Sequence, residues 1–373
     1  MTLHILYDHQ VFMWQTYGGI SRYYYEIANR IAAMQHNVEI FAPLYVNDYF
    51  QKECRVRPRG LKIPFLSNIA PQILKIINPS LAYLLLKPRK KIDILHETYY
   101  SLLDWCPRSA KRVITVHDMI HEKFVDNFSS WNKTRQIKAH AVRRADHIIC
   151  VSENTKKDLI ELLCVPDRKI SVIYHGYSLM INHSAIKSLK IEKPFILYVG
   201  ARDGWKNFKR LLSAYGNSRL LKKEFSIVCF GGGDFSSKEL SLIKSLNIGQ
   251  NEIKHVSGDD EVLASLYASA AAFVYPSLYE GFGIPPLEAM SFGCPVVCSN
   301  TSSLPEVVGD AAELFDPEDE VAMRCAIETV VSEPEKSQRL VEHGYERIKK
   351  YSWDKCARNT LNVYKNILGT NIK

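Results

Sequence analysis

The chain has 373 residues, too long for one ordinary core and suited to two domains of common size. Hydrophobic residues make up 46% and charged residues 24%, and no apolar stretch reaches membrane-spanning length, which argues for a soluble chain over a membrane-spanning one. The net charge of +8 is uneven: residues 1–180 carry 25 Lys and Arg against 16 Asp and Glu, while the remainder is almost balanced at 23 against 24. The N-terminus lacks a basic region leading into a long apolar run, so no secretory signal is expected. The nine cysteines lack metal-type pairing, and Cys150, Cys229, Cys294 and Cys298 lie inside apolar stretches, as reduced core residues do. A cytoplasmic location follows.

In chain order, short apolar runs rich in β-branched residues alternate with helical patterns, the signature of parallel sheets built from βαβ units. The first series of predicted strands is LHILYD, NVEIFAP, IDILHE, RVITVHD, ADHIICVS and ISVIYHG, with helices over 19–34 and 131–144. The pattern lapses over 178–194, a polar stretch ending in Pro194 that suits a linker. A second series follows, FILYVG, FSIVCFG, IKHVSG, AAFVYPS, PVVCSN and AELFD, and 318–367 reads as mostly helical. Two such sheets in tandem predict a cleft between their carboxyl edges, where folds of this kind bind ligands.

The stretch YEGFGIPPLEAMSFG at 279–293 leaves a predicted strand and enters a helix, with prolines at its start and a glycine at its stop. Glu280 falls on the loop and Glu288 about one turn inside the helix. Gly281 and Gly283 allow close backbone approach, and a helix start offers amides and a positive dipole end. Carboxylates accept from paired sugar hydroxyls while amides hold phosphate, so the combination suits a phosphorylated, polyhydroxylated ligand. In isolation an E-x7-E pair reads as a turn with two solvated glutamates; the glycine and proline context argues for a site.

These residues resemble the retaining glycosyltransferases of the GT-B fold, family 4 (group 1), which include bacterial O-antigen and exopolysaccharide mannosyltransferases. The E-x7-E match is complete, and the resemblance extends over nearly the whole chain. It implies two Rossmann-like α/β domains facing a central cleft: an acceptor-binding domain over 1–180, a nucleotide-sugar domain over 190–350, and a helix at 351–373 returning to the N-terminal domain. It places Glu280, Gly281, Phe282, Gly283 and Ile284 against the donor sugar, and Glu288 against the ribose. The turn VGARDGWKNFKRLL at 199–212 carries Arg202 and Lys206, two cations that can neutralise a departing diphosphate, and family members place such a pair there. No Asp-x-Asp sequence occurs, so no metal and no other cofactor is expected. His117 and Asp118 end the strand VITVHD, and the resemblance brings His117 near the donor sugar, where a lone strand-end histidine would otherwise read as structural. Gly18 and Gly19 precede a helix, and the family uses this loop over phosphates and acceptor.

The run FGGGDFSSK at 230–238 fails the dinucleotide pattern, since position 236 is Ser, and reads as a turn; no Walker A, H-E-x-x-H or G-x-S-x-G sequence is present. The excess positive charge clusters in 52–62 and in LAYLLLKPRKK, where Lys87, Arg89, Lys90 and Lys91 follow an apolar segment that can lie on an anionic membrane surface. Read otherwise, this is a solvated basic face; nucleic acid is not expected, because no recognised binding module accompanies it. The expected activity is metal-independent, retaining transfer of a hexose, mannose from GDP-mannose, to a glycan or polyprenyl-linked glycan by a cytoplasmic enzyme peripheral on the membrane. UDP-linked donors are the alternative, followed by a nucleotide-sugar 2-epimerase or a non-catalytic sugar-nucleotide binding protein.

Overall fold

The computed structural model describes residues 2–51, 54–63, 77–78, 80–81, 84, 91–104, 107, 109–128, 133–179, 193–202 and 204–370. The chain divides into two compact units, residues 1–176 with 353–373 and residues 177–352. Most of the linker read over 178–194 lies outside the described residues, as do Lys87, Arg89 and Lys90.

The first unit is built on a seven-stranded parallel sheet in the order β3-β2-β1-β4-β5-β6-β7. Its strands are β1 (His4–Tyr7), β2 (Asn37–Tyr45), β3 (Pro58–Lys62), β4 (Ile94–Glu97), β5 (Lys111–Val116), β6 (His147–Cys150) and β7 (Ile170–Val172). The central strands are buried on both faces, as a sheet covered by helices on both sides requires, and the buried polar residues of β4, His96 and Glu97, are hydrogen-bonded. Strand β3 falls in the basic cluster and its sequence, PRGLK, shows no apolar run; it forms as an edge strand against β2. There Gly60 is obligatory, because a Cβ would lie 1.7 Å from the Ala42 carbonyl oxygen. The helices are α1 (Gly19–Ala33), α2 (Ile120–Lys123), α3 (Thr134–Arg144) and α4 (Glu153–Leu163), the last capped by Ser152 Oγ accepting from the Thr155 amide at 3.0 Å.

The second unit carries a six-stranded parallel sheet in the order β10-β9-β8-β11-β12-β13. Its strands are β8 (Phe195–Val199), β9 (Ser226–Phe230), β10 (Ile253–Val256), β11 (Ala272–Tyr275), β12 (Val296–Ser299) and β13 (Ala312–Phe315). Around it lie α5 (Phe208–Gly216), α6 (Arg219–Glu224), α7 (Ser237–Ser245), α8 (Asp260–Ser269), α9 (Ile284–Ser291), α10 (Leu304–Val308), α11 (Glu320–Ser332) and α12 (Pro334–Ile348). The core packs Ile196, Phe208, Leu211, Ile227 and Val274 against Met323 and Ile327 of α11. All twelve strands read from the sequence are present, and β3 is the addition.

The last helix, α13 (Trp353–Ile367), belongs to the first unit and packs along α1. Its buried stripe of Trp353, Cys356, Ala357, Thr360, Leu361 and Tyr364 follows helical spacing. The Tyr364 hydroxyl lies 2.6 Å from His96 Nδ1 and 3.0 Å from the Tyr7 hydroxyl, so the helix is tied to the sheet by polar contacts as well as burial. Each sheet reverses its strand order once, between β1 and β4 in the first unit and between β8 and β11 in the second. At such a reversal the connections leave in opposite directions and open a crevice at the carboxyl edge.

Candidate functional site

The loops after β8 and β11 meet at the reversal of the second sheet and carry Arg202, Lys206 and Glu280. Lys206 Nζ donates to Glu280 Oε1 at 2.7 Å and lies 3.2 Å from the Tyr275 hydroxyl. Both partners of the pair are largely shielded, with side-chain exposures of 21% and 11%. The Glu280 backbone is fixed as well: its amide donates to Ser302 Oγ at 2.9 Å, and Ser303 Oγ donates to the carbonyls of Glu280 and Phe282, each at 2.9 Å. The β8 loop is anchored to the β11 loop by the Leu278 amide donating to the Trp205 carbonyl at 2.7 Å, and by Asn207 Nδ2 donating to the Pro276 carbonyl at 3.0 Å. A carboxylate and an ammonium are thereby held on a rigid turn. Burial and the Glu280 charge together hold the Tyr275 phenol well above its ordinary pKa, so it is a neutral hydroxyl at physiological pH.

Gly283 caps α9 in the left-handed region, φ +100°, and a Cβ there would meet Leu304 Cδ2 at 2.8 Å. Pro285 and Pro286 follow, which removes two amide donors from the first turn. The helix start therefore supplies fewer amides than its position suggests, with Ile284 retaining one. The Phe282 ring is buried edge-on against Tyr351 at 5.7 Å, so this residue offers its backbone and not its side chain to the crevice. Glu288 sits one turn into α9 and is buried; its charge, after burial itself, raises the pKa of the Tyr267 phenol.

Arg202 and Lys206 engage different partners. The Arg202 guanidinium donates to the carbonyls of Gly231 (2.8 Å), Gly233 (2.7 Å) and Asp234 (2.8 Å), and through Nε to Glu239 Oε1 at 2.7 Å. Three consecutive glycines at φ +85°, +75° and +72° turn those carbonyls toward it, and a Cβ on Gly232 would lie 2.9 Å from its Nη1. Glu239 is itself the reciprocal partner of Ser236 in a capping box at the start of α7. The run FGGGDFSSK is thus a turn whose carbonyls accept from Arg202, a pairing nothing in the linear sequence marked. In the stretch HVSGDDE, Asp259 Oδ1 accepts from the amides of Glu261 and Val262 at 3.1 Å and starts α8.

In the first unit, His117 lies just beyond β5. Its ring stacks near-parallel on His175 at 5.7 Å and edge-on to Tyr23 at 5.3 Å. Burial, with help from the neighbouring His96 and Lys138, lowers its pKa to about 3, and its Nε2 has no hydrogen-bond partner among the described residues. It is a neutral imidazole with one buried, unpartnered nitrogen. Asp118 accepts from the Ile120 amide at 3.1 Å and stands 3.7 Å from the ammonium of fully buried Lys138, which also donates to Glu122 at 2.7 Å. Gly18, extended at φ 169°, lies where a Cβ would come within 2.6 Å of Gln15 Oε1; that oxygen accepts from the Ser21 amide at 3.0 Å and caps α1. At Gly19, the next residue along, a Cβ would meet nothing within 4 Å. Lys91 is exposed, and its carbonyl lies 3.2 Å from His4 Nδ1.

Among the described residues, no three His, Cys, Asp or Glu side chains converge as metal ligands, and no helix is long and apolar enough to cross a membrane.

Comparison with known proteins agrees with this architecture. Residues 181–347 match the family model described as glycosyl transferases group 1, and residues 17–179 match that of glycosyltransferase family 4. O-antigen chain mannosyltransferase B of Escherichia coli is 29% identical, with 93% of this chain and 96% of the relative covered. Among solved structures, sucrose-phosphate synthase from Thermosynechococcus elongatus superposes with a TM-score of 0.74 at 19% identity, covering 99% of this chain and all of that one. Anabaena HepE in complex with UDP-glucose gives 0.71 at 16% identity, covering 97% of this chain and all of that one.

Proposed function

We propose that this chain, which belongs to the group 1 glycosyltransferases of family 4, transfers mannose from GDP-mannose to a growing glycan with retention at the anomeric carbon. The observation that carries the reading is the Lys206–Glu280 pair, 2.7 Å apart at the strand-order reversal of the second sheet. In the ligand-free fold each group satisfies the other. With donor bound, Glu280 accepts from sugar hydroxyls, Lys206 turns to the diphosphate, and Glu288 accepts from the ribose. The bond from the anomeric carbon to the phosphate oxygen breaks with its electron pair going to the diphosphate. The acceptor hydroxyl attacks from the face the diphosphate leaves and passes its proton to a phosphate oxygen. Lys206 and the positive end of α9 stabilise the charge that develops there. The Arg202 guanidinium, ion-paired with Glu239, serves first to shape the glycine turn beside this site.

The mannose assignment, and with it a growing glycan in polysaccharide or O-antigen synthesis, is supported by the full-length likeness to an O-antigen chain mannosyltransferase; we take that glycan to be polyprenyl-linked. An enzyme acting on such an acceptor works at the cytoplasmic membrane face, and Lys87, Arg89, Lys90 and Lys91 supply the charge to hold it there. His117 is assigned to the reacting sugar on the resemblance to the family alone; its Nε2 is buried and unpartnered among the described residues. The second reading, a UDP-linked donor, is favoured by one neighbour of the same fold that is complexed with UDP-glucose. A thermal-shift panel of GDP, UDP, ADP and dTDP separates them: a nucleotide at a hundred times its dissociation constant stabilises by about 2.7 kcal/mol. Stabilisation by GDP over UDP supports the reading. The reverse order transfers it to a UDP sugar, and no response to any of the four removes it.

A further inference from the structure

Tyr275 closes β11, an interior strand paired with β8 on one side and with β12 on the other, where Tyr275 is in register with Cys298. It is 2% exposed, its carbonyl accepts from Ser299 Oγ at 3.4 Å, and its ring lies 5.7 Å from that of Phe273. The next residue, Pro276, is tied to Asn207. A phenol set into a close-packed core in this way cannot follow a neighbour that moves.

Its hydroxyl nonetheless belongs to the Lys206–Glu280 pair. The oxygen lies 3.2 Å from Lys206 Nζ, and since an ammonium only donates, the phenol accepts there and keeps its single hydrogen for another partner. Glu280 is that partner: after burial, its charge and a hydrogen bond to its carboxylate are what raise the Tyr275 pKa, and a contact with Ser277 acts less strongly the other way. The three groups close a ring in which Lys206 donates to the phenol and to the carboxylate, and the phenol donates to the carboxylate. The Ser302 and Ser303 hydroxyls hold the Glu280 backbone and not its carboxylate. Two members of the ring differ in freedom. Lys206 carries its charge on a flexible four-carbon stem in the turn after β8, whereas the Tyr275 oxygen is fixed by its strand.

We propose that Tyr275 is a positioning residue for the transfer: its hydroxyl stays on the Glu280 carboxylate when Lys206 turns to a diphosphate, so the carboxylate keeps a donor and its orientation through the exchange. This rests on the donor reading above and adds the group that lets Lys206 leave. Without it, a carboxylate only 11% exposed would lose its cation with no fixed donor in its place, and an uncompensated buried charge is strongly unfavourable. The need is greatest with a nucleoside diphosphate alone, which draws Lys206 away and brings no sugar hydroxyl to Glu280. A nucleotide sugar supplies such hydroxyls and takes over part of the role.

Titration calorimetry of GDP and GDP-mannose into the full chain, wild type and Tyr275→Phe, tests this. The substitution removes one oxygen and keeps the ring, and Lys206 and Glu280 still satisfy each other without ligand, so the variant should fold and unfold within about 4 °C of wild type. GDP should bind it about tenfold more weakly, as expected for losing one hydrogen bond to a charged group, and GDP-mannose no more than about threefold more weakly. In a Glu280→Gln background a neutral carboxamide replaces the charge, and adding Tyr275→Phe should change GDP affinity by less than about twofold. Equal weakening of the two ligands, unchanged GDP affinity, or a tenfold loss that persists beside Glu280→Gln overturns the proposal. So does a Tyr275→Phe chain that fails to fold, since the hydroxyl would then serve the fold itself. UDP and UDP-glucose are titrated as a second matched pair, and the comparison is made with the pair the wild type binds. Binding of neither pair by the wild type removes the donor reading and this proposal with it, whereas normal wild-type binding with equal weakening in the variant removes the role of Tyr275 alone.

Discussion

Replacing Lys206 with methionine keeps most of the side chain's length and removes the ammonium that lies 2.7 Å from Glu280. Both side chains are mostly shielded, so the pair does not suffer the full solvent screening that makes surface ion pairs nearly worthless. A hydrogen bond to a charged partner contributes about 1.5–3 kcal/mol, and the change leaves a largely buried carboxylate without its cation. For a unit of this size each kcal/mol moves the unfolding midpoint by about 2–4 °C, so a fall of roughly 3–12 °C is expected in the absence of ligand. The kinetic loss should exceed the stability loss in consequence. A preorganised donor facing developing negative charge is worth about 10²–10³ in kcat, and Lys206 is assigned that role toward the departing diphosphate. The assay is steady-state transfer from GDP-mannose at a temperature below the variant's unfolding midpoint, beside Lys206→Arg as a charge-retaining control. A variant with a lowered midpoint but kcat within a factor of about three of wild type would refute the reasoning, since it would make the pair structural only.

Further outcomes follow from the same geometry. Glu288→Ala should weaken binding of GDP itself by about 1.5–3 kcal/mol, measured by calorimetry, whereas a role confined to packing on Tyr267 would leave nucleotide affinity unchanged. Transfer should survive excess EDTA, because Lys206 and the α9 N-terminus supply the positive charge; complete loss restored by Mg²⁺ or Mn²⁺ would contradict that assignment. His96, buried and with its pKa lowered to about 3, is neutral in the folded chain, so its contribution is present above the unfolded pKa of about 6.5 and is lost as pH falls toward 3. His96→Asn should therefore flatten the fall in stability below pH 6.5 by about 1.4 kcal/mol per pH unit, measured by denaturant unfolding. The difference between the two proteins is the readout, because burial also raises Glu97 to about 7 and its protonation acts with opposite sign.

The strands of both sheets were legible because parallel strands covered on two faces must be apolar along their length, as in RVITV and AAFVY. Strand β3 escaped for the converse reason: at the edge of the sheet, PRGLK needs only one partner and one covered face. The glutamate loop was legible because glycines and prolines mark a strand-to-helix turn locally. The contacts that complete the site were not, since they join residues far apart in sequence. Lys206 and Glu280 are 74 positions apart, and Arg202 finds its carbonyl partners 29 to 32 positions on. At the start of α9 the two prolines noted in the sequence, Pro285 and Pro286, occupy the first turn, so this helix offers its dipole with fewer amide donors than most.

The most direct test of the account is the configuration of the bond the protein makes. With GDP-α-mannose carrying ¹³C at the anomeric position and an α-linked mannobiose acceptor, NMR of the purified product reports the new linkage. The account predicts an α-linked mannose, formed in EDTA and lost in Lys206→Met; a β-linked product, or release of free mannose with no linkage to the acceptor, would contradict it.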